Sequence, residues 1–213
     1  CTANVPVGSM CNALHASRYG DGISQGSAKS AIERGTARWT DMIWYDADVP
    51  AVSPRALPLA YHFTGSGHVY MRSSWDDDAT WAFFSAGPFY TAYGLDGEDG
   101  SFQITKQGTL AGVAGYSKYG GDEPINRNIV LVYDKNEKPH GRGGDGGSRW
   151  PPGWHRTAPE TRGVITAYEH NHDYTYVAAD ITRAYASVHD DEKIANQLGS
   201  RKIRKITRQF LYV

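Results

Sequence analysis

The chain has 213 residues, which is enough for one large domain or for one domain with a short appendage. Its 22 Lys and Arg nearly balance its 23 Asp and Glu, and this argues against a dedicated nucleic-acid-binding protein, which normally carries a strong basic excess. No run of residues approaches the roughly 20 apolar residues that span a bilayer, so the sequence predicts no transmembrane segment. The 14 Tyr, 6 Trp and 24 Gly favour an all-β fold with many turns.

The two cysteines, Cys1 and Cys11, both lie at the N-terminal edge. Two thiols this close together would close a small disulfide loop in an oxidising compartment, although two unrelated thiols explain the sequence equally well. A chain that begins at Cys1 is typical of a lipid-modified cysteine at a bacterial signal-peptidase site, and also of a trimmed product. The lipid interpretation predicts a secreted or cell-surface protein anchored at Cys1.

The first 60 residues differ in pattern from the rest. Apolar residues at loosely helical spacing in AKSAIERGTARWTDMIWY predict one helix of about 12 to 15 residues. Three prolines follow in DADVPAVSPRALPLA, and they forbid further helix and favour an extended linker. Residues 1–60 are therefore predicted to form a helix and a Pro-rich linker, and residues 61–213 a second domain.

From Tyr61 onward the sequence consists of short runs rich in Val, Ile, Tyr and Phe, separated by turn clusters such as DDDA and LDGEDG. The runs are HVYMRSSW, TWAFFSAG, SFQITKQGTLAGVAGY, NIVLVYD, GVITAYE, YTYVAADITRAYASV and ITRQFLYV. This spacing predicts two antiparallel sheets packed as a β-sandwich. The predicted fold class is therefore mostly β, with a short N-terminal helical and linker segment.

A long irregular segment, Lys138–Glu160, separates two of these runs. Loops of this length inside compact domains are usually functional or disordered. Its rings and guanidinium groups suit an acidic sugar, because rings stack on pyranose faces and Arg pairs with carboxylates or sulfates. The candidate carbohydrate-binding residues are Trp150, Trp154, Arg142, Arg149 and Arg156. The alternative is a surface loop whose tryptophans fold back onto the sandwich.

The run EHNHD contains the best local candidate for a metal site. In a strand, His170 and His172 would place both imidazoles on one face, with Glu169 or Asp173 beside them. The run also lies next to a turn, so a solvated hairpin tip is the alternative.

The string LPLAYHFTGSGHVYMRSSWDDDATWAFFSAGPF, followed by DGEDGSFQITKQGTLAGVAGYSKYG and NRNIVLVYDKNE, resembles the β-sandwich domain of heparinase II/III-type polysaccharide lyases. RWTDMIWYDADVPAVSPRALP resembles the end of their helical toroid domain, and YTYVAADITRAYASV and ITRQFLYV resemble their later strands. The resemblance extends from Trp39 to Val213. It implies kinship with enzymes that cleave uronic-acid glycans by β-elimination.

The chain departs from the family at a motif that supplies a structural metal. Ser101 and Phe102 match the end of the family's His-x-His-x-Asp-x-x-Ser-Phe motif, whereas Gly94, Asp96 and Glu98 replace its two His and its Asp. The resemblance therefore implies that Asp96 and Glu98 would hold a harder cation such as calcium in place of zinc.

Two further departures bear on activity. Asn128 matches a His-Asn pair of the family, but Arg127 replaces the His. The helical toroid, which supplies the catalytic Tyr in relatives, is almost wholly missing, and the chain stops before the strands that usually close the sandwich. Catalysis by this chain alone is therefore not expected. Because the closing strands are missing, the sheets are expected to have open edges.

These features favour an extracellular, non-catalytic module derived from a lyase scaffold. Such a module would bind acidic polysaccharide, or would assemble with copies of itself into oligomers or filaments, because open sheet edges accept an added strand. The alternative is part of an active polysaccharide lyase whose catalytic toroid lies on a missing segment.

Overall fold

The structure, a computed structural model, describes residues 6–87, 99–112, 128–130, 132, 163–185 and 203–213. The chain divides into two compact units, Cys1–Pro58 and Leu59–Val213. In the part of the chain that is described, no helix is long and apolar enough to cross a membrane.

In the first unit, the described α-helices are α1 Pro6–Tyr19, α2 Gly22–Glu33 and α3 Trp39–Trp44. The prediction of one helix over AKSAIERGTARWTDMIWY is therefore wrong. α2 begins before this run because the Asp21 carboxylate accepts hydrogen bonds from the backbone N–H groups of Ile23 and Ser24, both at 3.2 Å. α2 ends within the run because Gly35 follows it with a φ of 66°, in the left-handed region where helices stop.

Small side chains let α1 and α2 approach closely, since Ala13 of α1 and Ala28 of α2 are fully buried. The linker runs directly over α2, where a Cβ at Gly26 would lie 2.0 Å from the carbonyl oxygen of Val52. Apart from one 3₁₀ turn at Pro54–Ala56, the linker contains no described helix. This agrees with the effect expected of its prolines.

In the second unit, the described residues form two antiparallel sheets. The strands are β1 Ala60–Phe63, β2 His68–Arg72, β3 Trp81–Ser85, β4 Ser101–Thr105, β5 Thr109–Ala111, β6 Val164–His170, β7 Thr175–Asp180 and β8 Thr207–Tyr212. β1 to β5 form a five-stranded sheet in chain order, and β6 to β8 form a three-stranded sheet in chain order. The predicted mostly-β, antiparallel fold with short N-terminal helices is confirmed.

One predicted strand run, SFQITKQGTLAGVAGY, is divided between β4 and β5. Gln107 has a φ of 53°, in the left-handed region, and turns the chain between the two strands. The N–H of Lys106 donates a hydrogen bond to the carbonyl of Gly108 over 2.9 Å, which closes the turn.

The inner sides of the two sheets share one hydrophobic core. Val69 of β2, Phe84 of β3 and Val177 of β7 are fully buried in it. The rings of Phe84 and Phe210, one from each sheet, lie 6.0 Å apart between centroids. Burying a side chain of this size contributes about 1.5–3 kcal/mol to folding, so the contact between the sheets is a principal source of stability.

Alternation along each strand separates a core side from an outer side. In β2, Val69 and Met71 are buried, so His68, Tyr70 and Arg72 lie on the outer side. The same alternation operates in β1 and β3, where aromatic residues also occupy outer positions. The outer side of the five-stranded sheet is therefore unusually aromatic.

Candidate functional site: an aromatic sheet face

Five aromatic side chains from three adjacent strands lie together on the outer side of the five-stranded sheet. They are Tyr61 and Phe63 of β1, His68 and Tyr70 of β2, and Phe83 of β3, and we call this set the aromatic face. Hydrogen-bond register brings them together, because Tyr61 pairs with Tyr70, Tyr70 with Phe83, and Phe63 with His68. Neighbouring strands lie about 4.8 Å apart, so side chains paired in this way are in contact range.

The rings form a continuous network. The centroid distances are 4.8 Å for Tyr61–Phe63, 5.6 Å for Phe63–Tyr70, 4.9 Å for Tyr70–Phe83 and 5.0 Å for His68–Phe83. Phe63 meets Tyr70 edge-on at 89°, the geometry that ring quadrupoles favour. Despite these contacts, Tyr61 is 55% exposed, Phe63 48% and Tyr70 40%.

Arg72 lies two residues beyond Tyr70 on the same side of β2, opposite Trp81 of β3. Its guanidinium lies 4.0 Å from the centroid of the Trp75 ring, and its Nε donates a hydrogen bond to the Ser74 carbonyl. These contacts hold the guanidinium at the end of the aromatic face. The adjacent loop continues with three Asp residues, 76–78, so the charge at this end is mixed.

Burial lowers the pKa of two histidines of this sheet. His68, within the aromatic face, has its pKa lowered by desolvation, and so does His62, which lies on the other side of β1 near the Tyr168 ring. Both imidazoles are therefore neutral near pH 7, because an ordinary His pKa is already about 6.5. The aromatic face is thus uncharged at neutral pH.

A second group of polar residues lies between the sheets, behind the aromatic face. Burial raises the pKa of Tyr185 to about 12, and its hydroxyl donates to the carbonyl of Val130 over 2.6 Å. Burial lowers the pKa of Arg208, whose Nη1 is buried without a hydrogen-bond partner in the described part of the chain. The guanidinium carbon of Arg208 lies 5.4 Å from the centroid of the Phe102 ring, which offsets part of its desolvation cost.

Asn128, which matches the Asn of the family's His-Asn pair, is hydrogen-bonded to backbone groups of the protein. Its Oδ1 accepts a hydrogen bond from the N–H of Phe102 over 3.0 Å, and its Nδ2 donates to the carbonyl of Phe102 over 2.5 Å. The amide thereby satisfies both backbone groups of one residue of β4, as a neighbouring strand would.

The two predicted metal-binding histidines are at the hairpin that joins β6 to β7. His170 ends β6, and its Nδ1 lies 2.9 Å from the hydroxyl of Thr175. His172 lies in the turn, is fully exposed, and has its Nδ1 3.0 Å from a carboxylate oxygen of Asp173. Across the described residues, no group of three or more His, Cys, Asp or Glu could hold a metal ion. The geometry of these two histidines matches the hairpin-tip alternative.

The other predicted site residues lie outside the described part of the chain, so they stay predictions. They are Trp150, Trp154, Arg142, Arg149, Arg156, Asp96, Glu98 and Cys1. Cys11, the proposed disulfide partner of Cys1, is exposed on α1.

The sequence predicts two of the three strands that carry the aromatic face, β2 and β3, but not β1 and not the face itself. The signal lies in the alternation of AYHF, HVYMR and WAFFS, in which aromatic residues take every second position. Recognising that these positions lie side by side requires the pairing register of three strands. Length and composition do not supply that register.

No family model matches the chain, and no curated protein is similar to it at a significant level. The resemblance to heparinase II/III-type lyases therefore stays an expectation from the sequence.

Proposed function

We propose that this chain is a non-catalytic module that binds polysaccharide through the aromatic face. The observation that carries the proposal is the continuous network of five partly exposed rings on one side of a sheet. Soluble proteins rarely expose contiguous apolar patches, and where they do the patch usually marks a ligand or partner site.

A sugar is the ligand that suits this surface chemistry. Each pyranose ring has an apolar C–H face and a polar rim, and Tyr and His likewise combine an apolar ring with a polar edge. None of the outward residues of β1 to β4 is aliphatic: apart from the aromatic residues they are Arg, Ser, Gln and Thr. Interfaces with other proteins are also enriched in aromatic residues and Arg, so a protein partner is the alternative that the measurements below separate from a glycan.

Two contacts support a non-catalytic role. The Asn128 amide is committed to the backbone of β4 at both of its polar atoms. The Tyr185 hydroxyl is buried, donates to a backbone carbonyl and has its pKa raised to about 12, so it is poorly suited to remove a proton near pH 7.

The sequence resemblance supports the remaining parts of the proposal. It favours an acidic polysaccharide as the ligand and a location outside the cell, at the surface or secreted. Arg142, Arg149 and Arg156 would supply positive charge for such a ligand.

Replacing rings of the aromatic face tests the proposal. We expect Phe63→Ala and Tyr70→Ala each to weaken retardation in gels containing alginate, a polyuronate, by at least about tenfold in apparent Kd, because central aromatic contacts carry much of the binding energy. Leu211→Ala is the matched control, since Leu211 is 60% exposed on the other sheet. Equal retardation of all three variants and the parent chain would refute the assignment of the face.

Two measurements on the same samples distinguish the alternatives. Light scattering would reveal a dimer or filament that dissociates on Tyr70→Ala, and this result would assign the face to a second copy of the chain instead of to a glycan. Ultraviolet absorbance of unsaturated uronates would reveal β-elimination, and a clear rate with alginate would overturn the non-catalytic role.

A further inference from the structure

Gln103 of β4 lies directly beside the aromatic face. It is paired with Phe83 of β3, so its side chain leaves the sheet on the outer side, next to the Phe83 ring. Its neighbours along the strand, Phe102 and Ile104, point the other way and pack against the core. Gln103 therefore continues, on a fourth strand, the row of rings that crosses β1 and β2 and ends at Phe83.

The amide of Gln103 is available to a ligand. The side chain is partly buried, and its amide makes no hydrogen bond to any other residue that the structure describes. Neither its Oε1 nor its Nε2 is among the buried atoms that lack a partner, so both atoms are accessible to solvent. On the β5 side its stem lies close to Gly112, where a Cβ would be 3.9 Å from the Gln103 Cγ. Phe83 and Gly112 therefore flank the stem and leave the amide at the surface.

A primary amide is a group that suits sugar hydroxyls. Its oxygen accepts hydrogen bonds and its nitrogen donates two, so one amide can bond two adjacent hydroxyls of the same ring. Paired side chains on neighbouring strands lie about 5 Å apart, so the polar rim of a pyranose stacked on Phe83 would lie within reach of Gln103. Stacking alone favours any apolar surface, whereas the amide favours a hydroxylated one.

We propose that Gln103 gives the aromatic face its specificity for sugars, by hydrogen-bonding two adjacent hydroxyls of the pyranose that stacks on Phe83. This inference rests on the proposed function and adds the ligand class, which is a glycan with free vicinal hydroxyls. The rings provide the apolar contact, and the amide distinguishes a sugar from an apolar ligand of the same size.

Alginate in two forms tests this, one unmodified and one acetylated at its hydroxyls. Acetylation removes the O–H donors and keeps the pyranose ring and its carboxylate. With the full chain, we expect acetylated alginate to bind about three- to tenfold more weakly than alginate in apparent Kd, the effect of losing one or two neutral hydrogen bonds. Gln103→Met keeps the length of the side chain and removes the amide. It should weaken the binding of alginate by the same factor and should bind the two forms equally.

A matched control and a second variant accompany this measurement. Gln209→Met makes the same change at an exposed glutamine of β8 and should keep the parent preference for unmodified alginate. Thermal unfolding of each variant confirms that it is folded. If Gln103→Met does not fold, Gln103→Thr makes the same test, because Thr favours strands and lacks the amide.

The outcomes separate the two proposals. If Gln103→Met keeps the parent preference, or if the parent chain binds both forms equally, the role of Gln103 is wrong while the polysaccharide-binding function stands. If Tyr70→Ala leaves the binding of both forms unchanged, the aromatic face is not the site and both proposals fail.

Discussion

Tyr185 illustrates how a polar side chain is accommodated inside the second unit. The side chain is fully buried, and its hydroxyl finds a single acceptor, the carbonyl of Val130 at 2.6 Å. Burial raises its pKa to about 12; the nearby Arg208 opposes this rise and Asp99 adds to it. The native fold therefore binds the protonated phenol much more strongly than the phenolate.

This environment predicts that the chain loses stability at alkaline pH. An unfolded Tyr ionises near its ordinary pKa of 10.0, whereas the native Tyr185 holds its proton to about 12. Below pH 10 both states are protonated and the full stability is present; as the pH rises from 10 towards 12 the unfolded state loses its proton first, and stability falls. Urea unfolding at pH 8 and pH 11 measures the difference.

Tyr185→Phe provides the comparison at the same residue. At pH 8 the variant should be less stable by about 1 kcal/mol, because the Val130 carbonyl loses its donor. Between pH 8 and 11 it should lose less stability than the parent chain. The control is Tyr19→Phe at a largely exposed tyrosine of the first unit, which should leave the alkaline loss as it is. An identical loss in Tyr185→Phe would show that other groups cause it.

Among the elements, β4 depends on a side chain from outside the sheet. The Asn128 amide pairs with the N–H and carbonyl of Phe102, and Phe102 in turn packs on the Phe210 ring at 5.2 Å. A buried backbone group without a partner costs about 1–3 kcal/mol. This single contact therefore connects the register of β4 to the packing between the sheets.

We expect Asn128→Ala to lower the free energy of unfolding by about 1–3 kcal/mol, since two backbone groups lose their partner. Chemical denaturation measures the change, and Gln209→Ala, at an exposed residue of β8, is the matched control. Polysaccharide binding by the folded variant should be retained. A loss below about 0.5 kcal/mol would mean that water replaces the amide without cost.

The sequence predicts the strands better than the helices, and the reasons are physical. Most strands are predicted because alternating apolar residues bury one side of each strand, as in HVYMR. β1, in AYHF, is not among the predicted runs. The helices were predicted poorly: α1 and α2 pack through Ala13, Ala28 and other small residues, which leave little apolar periodicity. The break between β4 and β5 depends on one left-handed residue, Gln107, and Gln is not a residue type that marks a turn.

At the scale of the whole molecule, all five residues of the aromatic face belong to the second compact unit, Leu59–Val213. We expect a chain that begins at Leu59 to fold and to bind alginate with the affinity of the full chain, within about twofold, because the core of that unit is formed by its own two sheets. Circular dichroism and gel retardation test this. A folded fragment that has lost binding would show that the first unit contributes to the site.

The candidate site could be predicted from the sequence only in part, because it is a property of the assembled sheet. The family resemblance indicates Asp96 and Glu98, and the composition of the long irregular segment indicates its Arg residues, since ligand residues are often clustered along a chain. The five rings come instead from three strands, and Phe83 joins Tyr61 only through the register of β2 between them. Single-sequence patterns do not encode that register.

The alternation in β2 determines where the protein can tolerate an inserted residue. A residue inserted within HVYMR would reverse the facing of the strand on one side of the insertion, turning a buried residue such as Met71 outward and an outer residue such as Tyr70 into the core. One added residue would therefore disturb the core and the ligand surface together. The preceding turn is different: a Cβ at Gly65 would meet no atom of the described residues within 4 Å, whereas one at Gly67 would lie 2.2 Å from the Ala86 carbonyl oxygen. We therefore expect extra residues, such as a peptide tag or a second recognition loop, to be tolerated at Gly65 better than at Gly67.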